Sequence, residues 1–179
     1  MIVAAISIEH FLSMHSNHSR PTYALYTDGA CSGNPGKGGW AALLESSTGE
    51  SHMYSGAFLE TTNNRMEMTA VIEGVRQTPI GATVVVHSDS EYIVNAVNKG
   101  WLMNWQKNGW RTAQKKPVAN QDLWQNMMVV LSERSVQFTW VRGHAGHDQN
   151  ERCDEEAVHQ CESGHHEVDS GYTKPSGLW

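Results

Sequence analysis

The sequence predicts an α/β protein built on a mixed sheet, and three features carry that prediction. Short apolar runs near the start are separated by tight-turn residues. Helical periodicity then replaces them, and a β-branched run, Thr83-Val84-Val85-Val86, follows the first helical stretch.

The elements follow in order. Tyr23 to Thr27, Gly39 to Glu45 and Met53 to Leu59 read as three strands of a meander. Gly33-Asn34-Pro35-Gly36 puts proline and glycine where a reversal between antiparallel strands needs them. Thr61-Thr62-Asn63-Asn64 offers capping side chains before residues 66 to 77, where Met66, Ala70, Val71 and Val75 recur at helical spacing. Pro79 and Gly81 close that helix. The run from Thr83 has the character of a strand buried on both faces. Residues 90 to 98, a short tryptophan-rich piece and residues 121 to 132 read as helices. Val136 to Val141 alternates as a further strand, and Asn150 to Cys161 is helical again.

A length of 179 residues suits one domain with short ends. Residues 1–21 are expected to be a poorly ordered N-terminal extension, with Met14 a conceivable alternative start; residues 22–163 form the working domain and 164–179 a C-terminal tail. No run approaches the roughly 20 apolar residues that span a bilayer, and the N-terminal stretch lacks the basic start of a signal peptide. Three cysteines, Cys31, Cys153 and Cys161, make no even framework, so free thiols and a reducing, cytoplasmic setting are expected.

A net charge of −6 argues against a general grip on a polyanion, but the charge is unevenly placed. From Tyr92 to Gln121 there is no acid, while Lys99, Lys107, Arg111, Lys115 and Lys116 interleave with Trp101, Trp105 and Trp110. From Asp148 to Asp169 eight carboxylates stand against Arg152 alone.

The glycine-rich stretch YTDGACSGNPGKGGWAALL is no phosphate cradle: Gly38 stands where a P-loop needs Ser or Thr, and a strand follows instead of a helix. Asp28 closes the first apolar run of that stretch, as Asp89 closes VVVHSDS. Ligands of open α/β sheets bind beyond the carboxyl ends of strands, so two neighbouring strands would bring these acids together. Glu67, in the first helix, and Asp154, in the last, are the further candidates. Four convergent carboxylates repel unless cations lie between them, and hard oxygen donors suit magnesium or manganese. Paired ions about 3.5 to 4 Å apart cut phosphodiesters. An Asp after a strand also serves as a turn or cap residue, and from spacing alone both readings stand.

TDGACSGNPG, TTNNRMEM, HSDSEY, the spaced tryptophans followed by KKPVANQDLW, and WVRGHAGHDQNERCD occur in the order and spacing of one family. From Tyr23 to Cys161, with an echo at Asp169-Ser170-Gly171-Tyr172, the chain resembles the type 1 ribonuclease H family, of which bacterial ribonuclease HI is the type. The resemblance implies a ribonuclease H-like fold, a five-stranded mixed sheet flanked by helices. It also implies hydrolysis of the RNA strand of an RNA/DNA hybrid, leaving 5'-phosphate and 3'-hydroxyl ends, with two Mg2+ ions when substrate is bound and Mn2+ as a substitute. The family's metal-binding acids fall on Asp28, Glu67, Asp89 and Asp154, and its loop histidine, which assists proton transfer or product departure, on His144.

Further residues follow from the same resemblance. Cys31, Asn34, Asn63, Asn64 and Ser90 would line the minor groove of the hybrid and read the 2'-hydroxyl. Thr62 and Arg65 would hold a phosphate of the DNA strand; Thr62 and Asn63 equally suit helix capping. The handle from Lys99 to Lys116 would present Trp101, Trp105, Lys107, Lys115 and Lys116 to the backbone, or form a solvated helix that Trp101 and Trp110 anchor to the core. Two departures stand out: Gln106, Asn108 and Ala119 replace basic residues of richer handles, and Glu91 stands where the family often has Gln. No further hybrid-binding module is evident in residues 1–21. The chain is expected to act as a monomer without an obligate protein partner or a membrane. A module that binds without cutting, or a nuclease of the same fold acting on DNA, are the competing readings.

Overall fold

The computed structural model describes residues 21–143 and 146–173. In chain order they form β1 (Thr22–Gly33), β2 (Gly36–Ser46), β3 (Ser51–Thr61), α1 (Asn63–Arg76), β4 (Thr83–Ser88), α2 (Glu91–Asn98), α3 (Trp101–Lys107), α4 (Gln121–Ser132), β5 (Ser135–Trp140), α5 (Asp148–Ser163) and β6 (His166–Glu167). The sheet order is β5-β4-β1-β2-β3-β6. β1, β2 and β3 pair antiparallel, while β4 joins β1, and β5 joins β4, in parallel. This is the expected mixed sheet with one addition. β6 is a two-residue strand that pairs parallel to Ala57 and Phe58 of β3, too short for its pattern to be read in sequence.

β1 runs past the predicted end at Thr27, because β2 supplies a partner for every residue from Tyr23 to Gly33. The hairpin turns at Asn34 and Pro35, with Gly33 at a φ of 87° that a side chain would strain.

Both faces of β2 are covered. On one face Leu25, Ala42, Leu44, Val84, Val86 and Phe138 meet Val71 and Val75 of α1, Ile93 of α2, and Trp124 and Met127 of α4. On the other, Ala41 and Leu43 pack against Cys153 and Ala157 of α5. β4 departs from the sequence reading. It alternates buried Val84, Val86 and Ser88 with half-buried Thr83, Val85 and His87, because α5 lies across β1, β2 and β3. The β-branched run therefore reports strand propensity more than two-sided burial.

The basic segment folds as α3 followed by a tight turn. Val118 N–H bonds the Trp110 carbonyl, Thr112 N–H bonds the Lys116 carbonyl, and Arg111 caps the Lys115 carbonyl at 2.8 Å. Trp105 and Trp110 pack against the main core, whereas Trp101 stands outside it at 38% exposure. Anchorage thus falls to Trp105 and Trp110 instead of Trp101 and Trp110. All three cysteines are free thiols. Among the described residues no helix is long and apolar enough to cross a membrane.

Candidate active site

The parallel ladder between β1 and β4 ends at the pair Thr27 and Ser88. Asp28 and Asp89 are each the next residue, so the two carboxylates leave neighbouring strands at the same level. Asp28 is only 9% exposed and its Oδ1 accepts the Gly29 N–H at 2.7 Å. Gly29 lets α1 approach: a Cβ there would overlap the backbone of Met66 and Glu67. That close passage sets Glu67 beside Asp28. Asp154 lies in the first half of α5, next to Cys153, whose thiol bonds the Tyr26 carbonyl at 3.3 Å and seats the helix over β1.

The acids act on one another. Burial first, then Asp89, Asp154 and Glu67, push the Asp28 carboxyl up to about 8, against the pull of the Gly29 amide. Burial and Asp89 raise Glu67 as well, and hydrogen bonds from Ser90 and Asn63 partly offset them. The Asn63 amide donates to Glu67 Oε1 at 2.9 Å. A group of carboxylates that resists ionising together is one that a cation would stabilise. Among the described residues no three His, Cys, Asp or Glu side chains close a cage for an ion unaided. An all-oxygen donor set of this kind fits a divalent ion that keeps water or phosphate in its remaining positions.

Two supports escaped the sequence reading. Trp140, the last residue of β5, donates its indole N–H to the Asp89 carbonyl at 3.1 Å and clips the loop that carries the acid. Gly143 passes so close that a Cβ would stand 2.6 Å from Asp89 Oδ2. The signal for both was present, an aromatic and a glycine in WVRG just before the loop histidine, but their partner lies on another strand.

The residues expected to meet the hybrid fall in different places. Asn63 and Ser90 hydrogen-bond Glu67; Asn34 Oδ1 accepts the Asn63 N–H at 3.2 Å, the Cys31 thiol lies 3.6 Å from the Thr61 carbonyl, and Asn64 is the exposed second residue of α1. Lys107, Lys115 and Lys116 are exposed on the handle beside half-buried Trp105. Arg65 is the exception. It is buried at 3% exposure, with its guanidinium shared between Asp122 and Asp169, so it cannot also face a DNA phosphate. Thr62 starts α1, but its side chain makes no capping bond. His144 lies outside the described residues.

A mixed sheet with acids converging where the parallel pairing of β1 with β4 ends is the ribonuclease H-like class of fold. The family model for RNase H matches residues 20–162. Ribonuclease H of Nitratidesulfovibrio vulgaris (strain Hildenborough) is 49% identical over 149 residues, covering 83% of this chain and 95% of that protein. Ribonuclease H of Neisseria gonorrhoeae is 49% identical over 135 residues, 75% of this chain and 91% of that protein. A crystal structure of a type 1 RNase H with the type 2 active-site motif superposes at a TM-score of 0.74 with 32% identity, covering 87% of this chain and 78% of that one. An RNase H in complex with an RNA/DNA hybrid, 23% identical, shares the fold at a TM-score of 0.58. The chain belongs to the ribonuclease H family, in its type 1 bacterial branch, and is a nuclease.

Proposed function

We propose that this chain is an endoribonuclease that hydrolyses the RNA strand of RNA/DNA hybrids with two divalent ions, Mg2+ or in its place Mn2+. The observation that carries the reading is Asp28, a buried carboxyl pushed up to about 8 amid three further acids, one in α1, one in α5 and one just after β4. Asp28, Glu67, Asp89 and Asp154 would hold the ions. Bound there, such ions supply a nucleophilic water at neutral pH and charge stabilisation at the departing 3'-oxygen, leaving 5'-phosphate and 3'-hydroxyl ends.

The chain's own residues do the positioning. Asn63 orients Glu67 through its 2.9 Å bond, and Asn34 holds the Asn63 backbone, so the turn at Asn34 and the start of α1 move as one unit. With Asn64, Cys31 and Ser90 this unit offers short polar groups to a shallow minor groove, where the 2'-hydroxyl marks the RNA strand. Thr62 sits at the rim for a phosphate of the other strand. Lys107, Lys115 and Lys116 supply backbone charge, with Trp101 and Trp105 beside them for sugar or base contact. His144 serves proton transfer or product departure, as its place in GHAGH suggests. Three free thiols agree with a cytoplasmic protein, here read as a monomer.

The test is cleavage of labelled RNA/DNA hybrid beside single-stranded RNA, duplex RNA and duplex DNA, in Mg2+, in Mn2+ and in chelator. Hybrid-only, metal-dependent cutting that Asp28→Asn abolishes is expected. Hybrid binding without cutting in either metal would overturn the reading.

A further inference from the structure

Behind the acidic site lies a buried ion cluster that the nuclease reading leaves without a role. Arg65 donates from Nε to Asp169 Oδ2 at 2.7 Å and from Nη2 to Asp169 Oδ1 at 2.8 Å. The same guanidinium donates from Nη1 and Nη2 to both oxygens of Asp122, at 2.9 and 2.7 Å. Asp169 Oδ2 takes a third bond, from the Thr61 hydroxyl at 2.7 Å. Asp122 is well exposed, but the Asp169 side chain is nearly as buried as that of Arg65. Gly171 seals the cluster, since a Cβ there would overlap Asp122 and crowd Arg65.

The place of this cluster on the helix gives it a consequence. Arg65 and Glu67 are two residues apart, and in an α-helix such neighbours point to nearly opposite sides. Glu67 faces Asp28 while Arg65 faces the segment after β6. Thr61, the last residue of β3, leads directly into Thr62 and Asn63. One carboxylate therefore grips the residue that ends the strand and the residue in the first turn of the helix. Two-point, charge-assisted bonding fixes orientation as well as distance.

We propose that Asp169 is a positioning residue of the nuclease site, holding the first turn of α1 from behind so that Asn63 and Glu67 stay in register with Asp28; this rests on the hybrid-cleavage reading above. Asp169 touches neither substrate nor metal. It acts through Arg65 and Thr61. A misplacement of an ångström at a reacting centre costs up to about a hundredfold in rate, so a looser turn is felt in turnover before binding.

The experiment compares Asp169→Asn, Asp169→Glu and Arg134→Ala with the wild type. Arg134 braces the far end of α1 through the Thr78 carbonyl and hydroxyl, at 2.8 and 2.9 Å, and so controls for loss of stability alone. Steady-state cleavage of hybrid, the Mg2+ concentration giving half-maximal rate, and native-state hydrogen exchange of the Met66 and Glu67 amides are read well below each melting temperature. Expected for Asp169→Asn are a fall in kcat of about tenfold with KM within about twofold, a raised Mg2+ requirement, and about tenfold faster exchange in that turn. Asp169→Glu should recover part of each, and Arg134→Ala should change none of the three. Wild-type kcat and exchange in Asp169→Asn, or equal losses in Arg134→Ala, would overturn the proposal. Should Asp169→Asn fail to fold, Gly171→Ala disturbs the same cluster from its outer side and is read the same way. A wild type that cuts no hybrid would instead overturn the ribonuclease reading, and the exchange rates would still decide whether Asp169 orders the turn.

Discussion

Replacing Asp28 by Asn should make the metal-free protein more stable, and by an amount that grows with pH. In the folded chain burial and three other acids hold the Asp28 carboxyl near 8, against an ordinary value of 3.8. The folded state therefore keeps the proton where the unfolded chain has lost it. Stability is complete below about pH 4 and declines as pH rises toward about 8, by about 1.4 kcal/mol per unit. The Asp28→Asn variant would carry no such cost. Its gain over wild type is about 1.5 kcal/mol at pH 5, about 4 kcal/mol at pH 7, and levels off above about pH 8. Urea unfolding in chelator at pH 5, 7 and 9, followed by far-ultraviolet circular dichroism, measures it. Saturating Mg2+ should then stabilise wild type more than the variant, because only wild type has the full ligand set. A gap below about 0.5 kcal/mol at every pH, or one that narrows as pH rises, would refute the electrostatic account.

Gly29→Ala should push α1 away from β1, costing about 1 to 3 kcal/mol or more in stability and most of the activity, read by melting and cleavage together. Lys115→Ala with Lys116→Ala removes two exposed charges of the handle. The slope of log affinity for hybrid against log salt should flatten by about 1.8, and an unchanged slope would take both lysines off the backbone. Glu91, exposed as the first residue of α2 and two residues from Asp89, adds negative charge beside the acids. Glu91→Gln should lower KM for hybrid by about two- to threefold at low salt, and an unchanged or higher KM would count against that role.

Legibility in the sequence followed the range of the interaction concerned. Asp28 and Asp89 could be read because each ends a local apolar run, and Glu67 and Asp154 because they sit in blocks with the family's spacing. Local chemistry also made the hairpin, the switch to helical period and the alternation of β5 visible. Arg65 reads differently in sequence and in space. In TTNNRMEM it looks like a free cation beside polar groups, yet its partners lie 57 and 104 residues further on. Trp140 and Gly143 gained their roles the same way, from a carbonyl and a carboxylate of Asp89 that only the parallel packing of β4 and β5 brings near.

The sequence by itself determined the class of fold and the family and pointed to four candidate acids, because patterns of hydrophobicity and short motifs are local and survive without a third dimension. The tertiary structure alone decided which carboxylate is costly to ionise, which cation is buried instead of offered to substrate, and which residue of the last segment braces the site. Those properties depend on desolvation and on distances between distant parts of the chain, and neither exists until the sheet and its helices have closed.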